Sequence, residues 1–407
     1  MRLRLAVYAG RALAWYYRRT AKPGSGAIAG RVVLALAPGA LRTLAAGRKV
    51  VVVSGTNGKT TTTRLIAEML GASGRVVSND TGANMPAGLV TAMIRELGFD
   101  FAVLEVDERY LGSVCEQTRP AAVVLLNLSR DQLDRNPETA LVAQAWRRIS
   151  GDLAPHVIAN CDDPNIYWAA HDSPRVTWVS MGDAWHDSWS CPSCGESLSR
   201  SAARHWQCHG CGLSRPSPQW SAGEGSATYL PAAQTYELPL HLPGRVNVAN
   251  AAIALAAAAS FGQPAADLAR RLSGVRSIAG RYRVIDVFGR QARLLLAKNP
   301  ASWNEVFQVI DEAAGVLIVL NARELDGRDT SWIWDVDFRR LRGRTVFVSG
   351  ERRYDLAVRL DVADVEFKIV SSLEEASALA PIGLLDVVAN YTAFLELIKE
   401  FGSSRQM

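Results

Sequence analysis

The chain has 407 residues, 48% hydrophobic and 21% charged, so it reads as an ordinary globular protein of two or three domains, neither disordered nor fibrous. A net charge of +5 is mild for this length and, without aromatic–basic interleaving, makes no case for nucleic acid. No stretch reaches the roughly 18 uninterrupted apolar residues of a membrane span.

Residues 1–46 read as helical, with a Pro/Gly break at Lys22–Gly26. The opening MRLRLAVYAGRALAWYYRR has basic flanks like a signal peptide, but Arg11 interrupts its apolar runs and no small-residue cleavage site follows. It is an amphipathic helix with two readings: packing on the protein body, or lying on a membrane surface. Strands are expected at Val50–Ser54, Arg75–Ser78, Phe101–Glu105 and Ala121–Asn127, with helices from the glycine turn to Leu70 and at Gly88–Leu97. Apolar strands alternating with helices imply a parallel sheet buried on both faces. The stretch between Asn127 and Trp185 stays unassigned. From Trp185 to about Trp220 the composition turns to Trp, Ser, Pro and paired Cys, marking a small inserted module. An Ala-rich helix follows within Leu242–Gly262. A second alternating pattern begins near Val284, with strands at Ala292–Ala297, Val316–Leu320, Thr345–Ser349 and Leu384–Ala389. The expected organisation is an α/β protein: a helical segment at 1–46, a central domain at 47–281 carrying the 185–220 insertion, and a C-terminal α/β domain at 282–407.

Val51 to Ser54 lead into Gly55-Thr56-Asn57-Gly58-Lys59-Thr60-Thr61, a strand, a glycine turn and a helix start. Backbone N–H groups of such a loop, helped by the helix dipole, cradle phosphate. Lys59 would neutralise the β/γ-phosphates of a nucleotide and the Thr60 hydroxyl would hold Mg²⁺. The flanking strand and helix argue against a chance Gly-Lys-Thr turn.

Cys191-Pro-Ser-Cys194 and Cys208-His-Gly-Cys211 are two C-x-x-C knuckles. Four thiolates complete a tetrahedron round one ion and leave no open position, so the expected role is a structural zinc ribbon rather than a redox dithiol. Cys115 and Cys161 stand alone and read as small hydrophobes. The run Asp326-Gly327-Arg328-Asp329-Thr330-Ser331-Trp332-Ile333-Trp334-Asp335 packs three carboxylates and two tryptophans together, and on its own reads as a polar loop with a helix cap.

The G-T-N-G-K-T form of the loop resembles the Mur ligase superfamily, and later motifs match in order. The resemblance implies a Mur ligase-like central P-loop domain, a Rossmann-like C-terminal domain, and ATP with Mg²⁺. Glu105, at a strand end, sits where these ligases place a Mg²⁺-binding glutamate, and Glu108 is a second candidate. Asn247 and Asn250 resemble the Asn-x-x-Asn helix start beside the adenine, and Arg281 the arginine that reaches the phosphates. Two departures narrow the subfamily. No lysine occurs between Lys59 and Lys298 to serve as the usual carbamylated metal bridge, and Gln132 stands where the usual motif has histidine. The C-terminal Asp-x-Ala-His-Asn-Pro is altered to Leu296-Ala297-Lys298-Asn299-Pro300.

With AKNPASWNEV, DGRDTSWIWDVDF and ANYTAF, the chain resembles the ligase subunits of lipid II isoglutaminyl synthases. That resemblance implies ATP-dependent amidation of D-glutamate in the lipid II stem peptide through an acyl phosphate. Ammonia would come from a GatD-type glutaminase whose Cys–His pair is completed by an aspartate of this chain, Asp329 first, then Asp335, then Asp326. It implies a cytoplasmic enzyme at the inner face of the membrane. The alternative is an amino-acid-adding ligase of Mur or folylpolyglutamate type.

Overall fold

A computed structural model describes residues 2–20, 27–79, 82–130, 138–153, 155–182, 188–201, 205–275, 282–310, 313–323 and 326–401. The chain divides into two units, residues 1–129 with 138–276, and residues 130–137 with 277–407.

Runs of Val, Ile and Leu without alternation build the first unit's sheet. Its strands are β1 (Lys49–Ser54), β2 (Val76–Ser78), β3 (Phe101–Glu105), β4 (Ala122–Leu125), β5 (His156–Asn160) and β6 (Val176–Ser180). These six run parallel in the order β2-β3-β1-β4-β5-β6 and are sandwiched by helices. Val50, Val52, Leu104, Val123 and Val157 are buried with Leu89, Met93 and Trp146 from flanking helices. β5 and β6, together with the helix Thr139–Leu153, fill the stretch that the sequence leaves unassigned. The helix expected at Gly88 starts two residues earlier, at Pro86, whose fixed φ suits a first helical position.

The insertion carries a short ribbon, β7 (Leu198–Arg200) with β8 (Trp206–Cys208). The main sheet then resumes with β9 (Trp220–Ala222), parallel to β6, and ends in antiparallel β10 (Ser226–Tyr229) and β11 (Gln234–Glu237). The module is fastened to the sheet by buried polar contacts. Trp206 donates from Nε1 to the Cys161 carbonyl at 3.0 Å, and Arg215 donates to Asp162 at 2.8 Å. The Ala-rich helix Arg245–Ala259 is buried along most of its length, because its methyl side chains let it settle close to the sheet and the helix after the phosphate loop.

The N-terminal segment forms helices Arg2–Thr20, Ile28–Leu36 and Ala40–Ala45, while the expected break at 22–26 lies outside the described residues. Ala6 and Val7 are buried, which bears out packing on the body for one face of the first helix.

The second unit holds a six-stranded sheet: β12 (Tyr282–Val287), β13 (Arg290–Leu296), β14 (Gly315–Val319), β15 (Val346–Ser349), β16 (Phe367–Ile369) and β17 (Leu385–Ala389). The order is β12-β13-β17-β14-β15-β16, antiparallel only at β12–β13. Asn299 and Ser302 form a reciprocal capping box that starts the helix Pro300–Phe307, giving Asn-Pro a local reason to be there. A buried pair, Arg293 with Asp386, ties β13 to β17; burial raises the Asp386 carboxyl while the guanidinium opposes that rise.

Candidate nucleotide and metal sites

The strand β1 leads into Gly55, whose φ of +143° only glycine adopts readily, and a Cβ there would lie 2.8 Å from Leu126. Gly58, at φ +83°, caps the helix Lys59–Leu70, and a Cβ there would lie 2.6 Å from Asn250 Oδ1. Both glycines therefore let backbone pass where no side chain fits. Asn250 is buried against the loop, while Asn247 donates back to the Pro243 carbonyl at its own helix start.

The loop is stitched to the segment leaving β4. Thr56 N donates to the Asn127 carbonyl at 2.9 Å, and Asn57 N to Asn127 Oδ1 at 3.0 Å. Ser129 N donates to Thr56 Oγ1 at 3.0 Å, and Asn57 Nδ2 to Ser129 Oγ at 3.2 Å. This corrects the simplest view of the cradle, in which every loop amide points at phosphate. The amides of Thr56 and Asn57 are used internally. Those of Gly58, Lys59 and Thr60 stand at the helix N-terminus, where no preceding turn can satisfy them.

Thr60 Oγ1 donates to Glu105 Oε2 at 2.8 Å, and Thr61 is buried beside it. Two neighbouring ligands of an octahedral Mg²⁺ at about 2.1 Å lie roughly 3 Å apart, so this hydroxyl–carboxylate pair fits such an ion. Glu105 is fixed by Asn79, which accepts from its N–H and donates to its carbonyl, both at 2.8 Å. Glu108 goes elsewhere: it pairs with Lys59 Nζ at 3.2 Å, and the same ammonium donates to the Gly55 carbonyl at 2.5 Å. The two carboxylates thus divide, Glu105 on the hydroxyl and Glu108 on the lysine. Arg281, and the Asp131–Arg135 run with Gln132, lie outside the described residues.

Asp163 escapes a sequence reading aimed at ligands. Its buried carboxylate accepts from Leu128 N at 2.8 Å and from Asn165 N, so it caps the helix Pro164–Ala170 while bracing the segment that holds the phosphate loop. Burial pushes its carboxyl up to about 6, against the pull of the Leu128 amide. The Asp-Pro pair was the available signal for the cap. The link to Leu128, 35 positions away, was not readable.

The four knuckle cysteines converge, with all Sγ atoms within 4.8 Å, Cys191 3.6 Å from Cys211 and Cys194 3.4 Å from Cys208. A tetrahedral ion with sulfur ligands at about 2.3 Å needs sulfurs about 3.8 Å apart, close to this spacing. The amides of Cys211 and Gly210 lower the Cys208 thiol to about 7. Burial raises Cys115 to about 12 and Cys161 further, so both stay protonated.

In the second unit, Asp326 is buried and its carboxylate accepts from the amide and hydroxyl of Thr392. Asp329 is exposed and accepts from Ser331 N and Oγ at 2.8 and 2.9 Å. Asp335 pairs with Arg130 at 3.3 Å. Trp332 packs on the core, whereas Trp334 stays 52% exposed.

The sequence family described as Mur ligase middle domain matches residues 53–258, half of the chain, and the one described as MurT ligase C-terminal matches 296–394. The chain belongs to the Mur ligase family. Two curated relatives carry the name "Lipid II isoglutaminyl synthase (glutamine-hydrolyzing) subunit MurT". The one from Streptococcus pneumoniae (strain ATCC BAA-255 / R6) is 28% identical over 443 aligned positions, covering 99% of this chain and 97% of that protein. The one from Staphylococcus aureus (strain COL) is 28% identical over 384, covering 87% of each. Among solved structures, a pseudomurein peptide ligase type C from Methanothermus fervidus superposes with a TM-score of 0.71 at 18% identity, covering 89% of this chain and 80% of that one. The ligase is therefore ATP-dependent, with the phosphate loop on its Mur-type sheet and a MurT-type C-terminal region.

Proposed function

We propose that this ligase amidates the α-carboxylate of D-glutamate in the stem peptide of lipid II, at the cytoplasmic face of the membrane. The observation that carries the reading is the Thr60–Glu105 pair beside Lys59 in a chain whose MurT-named relatives align over nearly its whole length. ATP lies along the amides of Gly58–Thr60 with Asn250 at the loop's flank. Lys59 leaves Glu108 to face the terminal phosphates. Thr60 and Glu105 would hold Mg²⁺, which would supply neutralisation of the phosphate charge. The substrate carboxylate takes the γ-phosphoryl group, giving an acyl phosphate and ADP. Ammonia then attacks the acyl carbon, phosphate leaves with the C–O electron pair, and the amide loses one proton to solvent.

The ammonia comes from a partner glutaminase of GatD type. Neither Cys115 nor Cys161 serves as its source, since each is buried and protonated. Asp329 is the first candidate to orient the partner's histidine, being exposed, whereas Asp326 is committed to Thr392. The cysteine quartet would hold a structural zinc ion. In the test, purified ligase and glutaminase receive lipid II, ATP and glutamine, and the product is weighed by mass spectrometry. One carboxyl should become an amide, ammonium should replace glutamine, and Lys59→Ala should slow the conversion by on the order of 10²–10³-fold. ATP turnover that needs a free amino acid instead would support the amino-acid-adding alternative and overturn this reading.

A further inference from the structure

The helix Arg2–Thr20 has two unlike faces. Ala6, Val7 and Gly10 line the inner one, and a Cβ on Gly10 would come within 2.5 Å of Val33 and 2.9 Å of Ile94. The helix is therefore pressed against the helices Ile28–Leu36 and Pro86–Arg95, and cannot rotate to hide its other side. That side presents Leu5, Tyr8, Trp15 and Tyr16, exposed by 64, 69, 53 and 54%, together with exposed Arg4 and Arg11. At 100° per residue these six fall in an arc of about 140°, and Leu5 and Tyr16 stand about 16 Å apart along the axis.

The charge of the N-terminal segment is one-sided. Residues 1–50 contain ten Lys or Arg and no Asp or Glu, and the first acidic residue is Glu68. That segment is +10 in a chain of net +5, so the remaining residues sum to −5. The segment and the rest of the chain thus carry opposite net charge. No described helix is long and apolar enough to cross a membrane, and Arg11 stands in the middle of this one.

We infer that this face lies flat on an anionic lipid bilayer, with the aromatic rings at headgroup depth and the arginines on lipid phosphates. Indole and phenol rings suit that boundary because one end is apolar and the other hydrogen-bonds. Arginine side chains keep apolar stems against the acyl boundary and their charge among phosphates. A protein partner would need a matching acidic groove, whereas a bilayer needs only a convex basic-aromatic stripe of this length. The surface is separate from the phosphate loop and does not rest on the amidation reading.

The test is co-sedimentation of the full chain with vesicles of phosphatidylglycerol mixed with phosphatidylcholine, against phosphatidylcholine alone. Binding to the anionic vesicles only, weakened by salt, is expected. Tyr8→Ser with Trp15→Ser, and separately Arg4→Glu with Arg11→Glu, should each weaken it at least roughly tenfold while leaving ATP affinity unchanged. Brominated lipid should quench part of the tryptophan emission of the unaltered protein, and this keeps the inference testable should a variant fail to fold. Equal binding to neutral vesicles, no binding to either, or undiminished binding by both folded variants overturns it. So does a protein partner that the variants lose while they still sediment with lipid.

Discussion

The phosphate loop and the cysteine module are both glycine-bearing turns of one unit, yet they get their order from different sources. The phosphate loop is held by the framework: Asn127, Ser129 and, behind them, Asp163 fix it from the neighbouring strand. Among its described residues the module has a large buried anchor, Trp206, and a deep ion pair, Arg215 with Asp162. Its four sulfurs converge within 4.8 Å, and the zinc ion proposed for them would supply the rest. A loop that has to meet a transferring phosphoryl group is better fixed before the substrate arrives. A module that only has to keep its shape can leave that to a metal.

The comparison breaks most visibly if the metal is withheld. Zinc contributes on the order of 10 kcal/mol to folding of small Cys-ligated modules at neutral pH. Cys191→Ser with Cys194→Ser should lose the ion, as read by elemental analysis, and make the module sensitive to limited proteolysis. The nucleotide loop, fastened to the sheet, should still bind ATP within a few-fold. A double-serine chain as protease-resistant as the parent would mean that Trp206 and Arg215 suffice, and the contrast would go.

The second prediction falls on the loop. Lys59→Ala should lower the rate by on the order of 10²–10³-fold, the size expected for removing one preorganised group that meets developing charge. It also leaves Glu108 without its partner at a largely buried place, so some stability is lost with it. Lys59→Ala with Glu108→Gln separates the two effects. Stability should recover and the rate should not.

Much of this contrast was legible from residues. Gly-x-x-Gly-Lys-Thr after Val51–Ser54 marked strand, turn and helix, and the C-x-x-C spacing marked convergence of four sulfurs, because both are local patterns. The supports were not legible. Asn79 reaches Glu105 across 26 positions, and Asp163 reaches Leu128 across 35. Such partners are chosen by sheet register, which β2 and β5 set only once they pair. Short β9 to β11 escaped for another reason. They sit at a sheet edge in polar sequence, where no apolar run announces a strand.

Asp163 sharpens the comparison by titration. Its carboxyl, about 6 in the fold against an ordinary 3.8, binds its proton more tightly when folded. Its contribution to stability is therefore fullest near pH 4 and declines as pH rises through 6, by roughly 3 kcal/mol at most. Asp163→Asn has no such titration. The parent's advantage in urea midpoint should be largest near pH 4 and shrink by pH 7, and the variant should also need more ATP to saturate because Leu128 N loses its acceptor. A constant difference across that range would mean that Asp163 is ionised in the fold throughout and braces the loop as a charge.

The smallest expected effect on stability is the most informative about the partner. Asp326 and Asp329 are three residues apart, one buried with its carboxylate on Thr392 and the other exposed and accepting from Ser331. Asp326→Asn should cost about 1–3 kcal/mol, since one side of the amide meets a donor with another donor. Asp329→Asn should cost no more than about 0.5 kcal/mol. If glutamine-dependent amidation nonetheless falls with Asp329→Asn while ammonium-dependent amidation is kept, the exposed carboxylate acts on the partner's histidine and not on this chain's own fold. Loss of both activities together would place the defect in the ligase, and equal loss through Asp326→Asn alone would move the role to a residue whose geometry argues for structure.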